Sequence, residues 1–409
     1  MKPRVLITGT ISLLGSTTGT KAIQLGLIAV ATRVLGLEAV GLVFFVESST
    51  MIALRTLDFG FYEVLVRRAA RGELSRRTLA RAMAMRAGAV VAAIAAAAVV
   101  TPLTDPEDAT VITGFVVVYG LFFLHETGRA VLVGLEMFAR NAALALGTRL
   151  VGTGAAVLGM LSGYGIEAWL AGMLLAEVLE LVAATAVAMA ALPAKTPEAE
   201  APLLREGGPF WVLALLKQVV SQGASVIVGG WLGFADNGVF GVANKVIQGA
   251  LLAVVSLTYA AYPALARDRT KVIARAHAWV VVGLSGAVAI GVAIGAPLLA
   301  PLLGDVDAER AVEVTRWLTL AAFFMAVAQG LDTWLRAKDA ERSLVRVAVL
   351  EGAVMLGVMV ALIPWIGLTG AVVGVTAGAA ARLLGVGYVA RARIREAAPA
   401  QSDAGIQTE

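Results

Sequence analysis

The residues of this 409-residue chain that could do chemistry are ionisable side chains set inside long apolar runs. Lys21 lies midway along one run, near Thr17, Thr20 and Gln24. Glu47, Arg55 and Asp58 occupy the next. At about 100° per residue, Glu47 and Asp58 fall within about 20° of each other, and Arg55 and Asp58 are i,i+3 neighbours. His125, Glu126 and Arg129 cluster further on, followed by Arg149 and the acids Glu177 and Glu180. A second series opens with Lys217, Gln218, Ser221, Gln222 and Ser225, the last four on one helical stripe. Asn244, Lys245 and Gln248 come next, and Asp332, Glu351 and Arg382 sit deeper in the chain. A charge at the centre of a bilayer costs about 2.5–3.5 kcal/mol, so each must lie in a cavity, in a pair, or at an end where it can snorkel.

These types point to anion handling. Lys21 reads as lining a cavity or as half of an ion pair, and Arg55 as bridging Asp58 or reaching a phosphate. A polar-faced helix carrying a lysine opens each half of the chain, which favours a shared cavity for Lys21, Lys217 and Lys245, with Arg149 and Arg382 deep in their own spans. Glu47, Asp58, Glu177, Asp332 and Glu351 either balance these cations or carry a coupling proton or sodium ion. His125 reads as a satisfied polar group, and Arg129 as snorkelling or as paired with Glu126 or His125. With no cysteine, disulfides, thiolate metal sites and thiol nucleophiles are excluded, and two histidines are too few for a His-based metal centre. No metal or cofactor is therefore expected. No G-x-x-x-x-G-K-[S/T] loop is present, so ATP hydrolysis is not expected. Gly367, Gly370, Gly374 and Gly378 read as small residues for close helix packing rather than a phosphate loop.

The elements that must position these residues are membrane helices. Apolar residues make up 59% of the chain and charged ones 15%, against about 45–50% and 25% in soluble domains. Mean hydropathy is +0.84. Only helices or closed barrels satisfy the backbone in lipid, and runs of about 20 residues without strict alternation are helices. Twelve spans are predicted: 6–32, 39–65, 82–101, 110–132, 142–162, 166–192, 209–232, 238–263, 277–300, 311–334, 344–364 and 367–390. The first is read as a retained span rather than a signal peptide, because Thr, Gly and Lys21 interrupt it. Basic residues crowd one set of loops and ends, from Lys2 and Arg4 through Arg67, Arg68, Arg71, Arg76, Arg77 and Arg81 to Arg391, Arg393 and Arg395. The opposite loops hold only Arg33 and Arg310 and are acidic (Asp105, Glu107, Asp108; Asp305, Asp307, Glu309). The positive-inside rule places the basic set and both termini in the cytoplasm of a cell-membrane protein.

The chain also repeats itself at about 200 residues. Leu35-Gly36…Gly41 matches Leu232-Gly233…Gly238, Gly165 with Gly172 matches Gly367 with Gly374, and Phe122-Phe123 matches Phe323-Phe324. Six spans per repeat make a parallel repeat about an axis along the membrane normal, with the substrate path between the halves. The expected organisation is an N-terminal six-helix lobe over 1–192, a cytoplasmic linker over 193–208, a C-terminal six-helix lobe over 209–396 and a disordered tail over 397–409. The fold class is an all-α polytopic membrane protein of twelve helices in two lobes around a central cavity.

With Arg33-Val34-Leu35-Gly36 and Gly41, the run Leu57-Asp58-Phe59-Gly60 ending in Arg67-Arg68, Gly134-Leu135-Glu136 with Phe138, Leu232-Gly233…Gly238-Val239-Phe240, and Tyr262-Pro263-Ala264-Leu265, the chain resembles a known family over about residues 5–392. This is the polysaccharide-transporter branch of the multidrug/oligosaccharidyl-lipid/polysaccharide exporter superfamily, the flippases of lipid-linked oligosaccharides. The resemblance implies a V-shaped bundle opening inward or outward and a cationic lumen for a polyprenyl-pyrophosphate glycan. It implies flipping across the cytoplasmic membrane by alternating access, for surface polysaccharide biosynthesis, beside membrane lipids and other polysaccharide-assembly proteins, without nucleic acid. The chain is shorter than the peptidoglycan-precursor flippases, which carry two more spans. A cation or drug antiporter of the same superfamily is the rival reading and predicts an acidic cavity. A membrane glycosyltransferase or glycan polymerase is a third, resting on Asp305-Val306-Asp307 in a short outside loop.

Overall fold

The computed structural model describes residues 3–101, 106–194, 203–267, 272–300, 308–336 and 340–396. Among them are twelve α-helices and no strand. They are α1 (Pro3–Thr56), α2 (Phe61–Ala70), α3 (Arg76–Val100), α4 (Pro106–Gly134), α5 (Phe138–Leu161), α6 (Gly165–Ala191), α7 (Leu203–Leu232), α8 (Phe234–Arg267), α9 (Val272–Gly295), α10 (Ala308–Arg336), α11 (Glu341–Ile366) and α12 (Leu368–Glu396). Eleven of the helices are long and apolar enough to cross a membrane. The first of them, Gly15–Thr56, runs for 42 residues and is broken at Gly36, whose φ of 85° leaves the helical region. At about 1.5 Å per residue that length holds two crossings of a core about 30 Å thick, so the predicted twelve spans stand. Large apolar side chains face outward, Trp365 at 84% and Val99 at 75% exposure, the reverse of a water-facing surface.

The second predicted span, 39–65, is corrected. The helix ends at Thr56, and a turn at Phe59 (φ 49°) and Gly60 (φ 74°) leads into the separate α2. Left-handed backbone at two successive residues cannot continue a right-handed helix. The motif Leu57-Asp58-Phe59-Gly60 is this turn. A side chain at Gly60 would also meet the Gly207 carbonyl at 2.4 Å. Trp211 of α7 donates its indole N–H to the carbonyls of Arg55 (3.2 Å) and Thr56 (3.0 Å), satisfying the open end of α1. Arg67 and Arg68 of α2 bind Glu206 of α7, Arg67 at 3.3 Å. Ser75 caps α3, accepting from the Thr78 N–H at 3.2 Å.

The internal repeat is written into the backbone. Gly36 and Gly233 both have positive φ (85° and 94°), as do Gly165 and Gly367 (60° and 58°). A Cβ on Gly41 would stand 1.8 Å from the Phe234 carbonyl, and one on its repeat mate Gly238 2.0 Å from the Leu37 carbonyl. Leu37 and Phe234 are themselves repeat mates, so this close crossing of α1 and the start of α8 is reciprocal. Asn237 reinforces it, donating to the Gly41 carbonyl at 2.8 Å and accepting from the Ser225 hydroxyl at 2.7 Å.

The described residues within 1–242, with 300 and 308, form one compact unit, and those within 243–299 and 309–396 form a second. In the first, α5 and α6 cross at Gly152 and Gly172, where either Cβ would lie about 2.5 Å from the other's carbonyl. In the second, α11 and α12 pack Met355, Met359 and Ile363 against Gly370, Gly374 and Gly378, the packing role read for those glycines. The tail 397–409, the centre of the predicted linker and Asp305-Val306-Asp307 lie outside the described residues.

Candidate functional site

The ionisable residues of the first unit form two neighbouring networks. In one, Asp58 at the α1–α2 turn takes Arg55 on one carboxylate oxygen (3.1 Å) and Arg86 of α3 on the other (Nε 2.9 Å). Arg86 is wholly buried, lies over the Phe123 ring at 4.3 Å and also donates to the Phe123 carbonyl (3.0 Å) and the Thr127 hydroxyl (3.1 Å). Arg55 further bridges Glu126 of α4 with 3.0 Å contacts to both oxygens. A guanidinium with its N–H groups directed at acceptors can survive deep burial; one left open could not.

The second network lies between α4, α5 and α6. Arg149 of α5 binds Glu177 at 3.1 Å, and Arg129 of α4 contacts Glu180 at 3.3 Å and donates to the Asn141 side-chain amide oxygen Oδ1 at 3.0 Å. Arg129 thus pairs with neither Glu126, which Arg55 holds, nor His125, because α6 supplies the nearer carboxylate. His125 stands between Glu177 (Nδ1 to Oε2, 2.8 Å) and Glu180 (Nε2 to Oε1, 3.7 Å). It is fully buried, yet neither ring nitrogen has a hydrogen bond of acceptable geometry, so it is not the satisfied group expected. Among the described residues, His125, Glu177 and Glu180 are the group whose atoms could surround a cation, all within 4.8 Å of one another.

Arg149 also lines a cavity of about 30 Å3 with Gln24, Glu47, Tyr119, Thr153 and Met173. Lys21, on the same helix as Gln24, donates to it at 3.2 Å. On α7, Gln222 accepts from the Ser48 hydroxyl of α1 at 2.9 Å, so with Ser225 this part of the polar stripe meets partner helices. Gln218 is half-buried and its carbonyl accepts from Ser221; Lys217 is exposed. In the second unit Lys245 is half-buried on α8. There Arg382 of α12 joins Asp332 of α10 (2.5 Å), Glu351 of α11 (3.6 Å) and Gln329 (3.4 Å).

Of the expected site residues, the structure therefore joins Arg55 with Asp58, Arg149 with Glu177, and Arg382 with Asp332 and Glu351. It places Glu47 and Arg149 on one cavity and leaves Lys217 at the surface of α7. Arg86 is the functional-network residue the sequence reading passed over. It falls inside the third predicted span, 82–101, without an assigned role; α3 starts at Arg76 and carries Arg86 nearly three turns inward.

Solved structures share the fold, among them three of MATE proteins. A multidrug resistance MATE family transporter of the MOP superfamily in an inward-facing conformation is 15% identical, covers 97% of this chain and 99% of its own, and superposes with a TM-score of 0.61. The outward-facing conformation of such a transporter is 16% identical, with 95% and 96% covered and a TM-score of 0.62. MATE in complex with MaL6 is 15% identical, with 96% of each chain covered and a TM-score of 0.64. None of the curated proteins compared matches this chain. The sequence profile described as polysaccharide biosynthesis protein matches residues 6–268. A twelve-span helical chain with the MATE fold, matched by that profile over most of its length, belongs to the polysaccharide biosynthesis protein family.

Proposed function

We propose that this protein flips a polyprenyl-pyrophosphate-linked oligosaccharide across the cytoplasmic membrane by alternating access. The observation that carries the reading is the family match over residues 6–268 on a fold otherwise seen in transporters. A pyrophosphate head with a hydrated glycan cannot cross hydrocarbon unaided. Lys21, Lys217 and Lys245 supply point charges suited to it, and Gln218 and Gln222 supply hydrogen bonds to sugar hydroxyls. Arg55, Arg149 and Arg382 are bound to carboxylates; they contribute by exchanging a carboxylate for a substrate phosphate during the cycle. The lobes over 1–192 and 209–396 are the moving parts, joined by the cytoplasmic linker 193–208. Direction comes from an ion gradient or from the membrane potential, about 2.3 kcal/mol per charge per 100 mV.

The test is complementation of a strain lacking surface glycan. Wild-type protein is expected to restore the glycan, and the combined Lys21→Ala, Lys217→Ala, Lys245→Ala variant, at equal membrane abundance, to lose it. Full restoration by the triple variant would refute the lysine role. The similarity in fold to multidrug transporters supports a second reading, an organic-cation antiporter. Thermal stabilisation of the purified protein by organic cations, and not by polyprenyl phosphates, would favour it.

A further inference from the structure

We propose that the groove between the basic ends of α11 and α12 binds one anionic phospholipid, its phosphate held between Arg346 and Arg393 and its chains lying along the outer face of the two helices. The groove encloses about 590 Å3 and lies wholly within the second unit. Positions 343, 346, 347 and 350 of α11 line one wall, and positions 385, 388, 389 and 392 of α12 the other. Both sets follow i, i+3, i+4, i+7, so the groove runs along the seam of two paired helices. Gly385 contributes no side chain to fill it, and a Cβ there would stand 3.1 Å from a Val347 methyl group. Loop charge assigns this end of both helices to the cytoplasmic side.

Charge, polarity and size together select a phospholipid. Arg346 and Arg393 are exposed, come from different helices, and share the groove with the Ser343 hydroxyl and with no carboxylate among the lining residues. Two guanidiniums in one cleft repel each other, and a shared phosphate draws them together, since each presents paired N–H groups that match its oxygens. Deeper along the helices the same groove turns apolar. Tyr388 is 75% exposed, Leu384 one turn further along α12 is 74% exposed, and Leu350 of α11 is 47% exposed. In a membrane span such outward apolar surface meets acyl chains, and a tyrosine ring sits at the boundary with its hydroxyl toward the headgroups. At about 1.5 Å per residue, Leu384 lies about 14 Å along the axis from Arg393. A basic end and an apolar wall in one groove match the head and chain of a lipid, whereas a free phosphate or an acidic peptide would leave the apolar wall unused. The volume falls within the range of small-molecule sites, about 300–1,000 Å3, and is far too large for a single ion. Basic pockets between membrane helices on the cytoplasmic side are suited to anionic headgroups.

The site does not depend on what the protein transports. The experiment takes the full chain, delipidated in detergent, and titrates it under native mass spectrometry with phosphatidylglycerol or phosphatidylcholine of identical chains. The wild-type protein is expected to retain one phosphatidylglycerol about tenfold more tightly than phosphatidylcholine. The Arg346→Gln, Arg393→Gln variant is expected to lose that preference. Arg391→Gln, exposed at the same end of α12 but outside the groove, is expected to keep it. Equal retention of the two lipids by the wild-type protein overturns the site by itself, even where the double variant fails to fold. An equal loss in Arg391→Gln also overturns it, because the effect would then be general basic charge at the membrane surface. Inorganic phosphate saturating the site at the lipid's own concentration would make it an ion site. A polyprenyl phosphate retained in preference to phosphatidylglycerol, and lost in the same double variant, would make it a substrate entrance. Either result overturns the phospholipid assignment. Flipping of a glycolipid is read separately in vesicles, and its absence leaves the lipid preference untouched.

Discussion

At the scale of single residues, burial turns charge into architecture. Arg86 is held by Asp58, Thr127, a backbone carbonyl and an aromatic face, and removing Asp58 leaves its charge open in the interior. Asp58→Asn is expected to destabilise the protein by about 3–5 kcal/mol, read as a drop in melting temperature in detergent. The double change Asp58→Leu, Arg86→Met is expected to recover most of that loss, because paired removal leaves no orphan charge. The two halves also hold the same device with the charges exchanged. Arg149 and Glu180 of the first unit correspond, 202 residues on, to Glu351 and Arg382 of the second, each beside partners of opposite sign. Arg382→Glu alone is expected to lower the yield of folded protein severely, since it faces Asp332 and Glu351 at once. Adding Glu351→Arg is expected to restore part of it, measured by monodispersity in size-exclusion chromatography.

At the scale of elements, the helices are placed by small residues and positive-φ breaks. α1 must bend at Gly36, where φ is 85°. A side chain there would sit in an extended positive-φ region that only glycine adopts readily, at a cost of about 1–3 kcal/mol. The α1–α8 crossing depends on Gly41 and Gly238, each against a backbone carbonyl that cannot move aside as a side chain can. Gly238→Ala is expected to cost about 1–3 kcal/mol by overpacking, and Gly41→Ala the same, both read in thermal unfolding. Gly15→Ala, with nothing within 4 Å of its Cβ, is the control expected to keep or slightly raise stability, since alanine favours a helix interior over glycine.

At the scale of the whole molecule, orientation is testable with a simple probe. The chain has no cysteine, so each one introduced reports alone. Arg71→Cys, in the exposed turn after α2, is expected to react with a membrane-impermeant maleimide only after the cytoplasmic face is opened, and Ser162→Cys in intact cells. The reverse pattern would invert the topology. Hydropathy, loop charge and the repeated glycines were enough for the twelve-span helical class, because lipid leaves helices as the solution for long apolar runs and because positive-φ backbone at Gly36 and Gly233 selects glycine wherever it recurs. The polar residues were legible as exceptions to apolarity, but not their partners. Arg129 reaches Glu180 rather than its helix neighbours, Arg86 reaches a turn that the apolar run concealed, and His125 lies between two carboxylates from another helix. Such pairings join residues tens of positions apart, and periodicity along one helix carries no information about the facing helix. Only the packing of α3, α4, α5 and α6 around one another decides which charges meet.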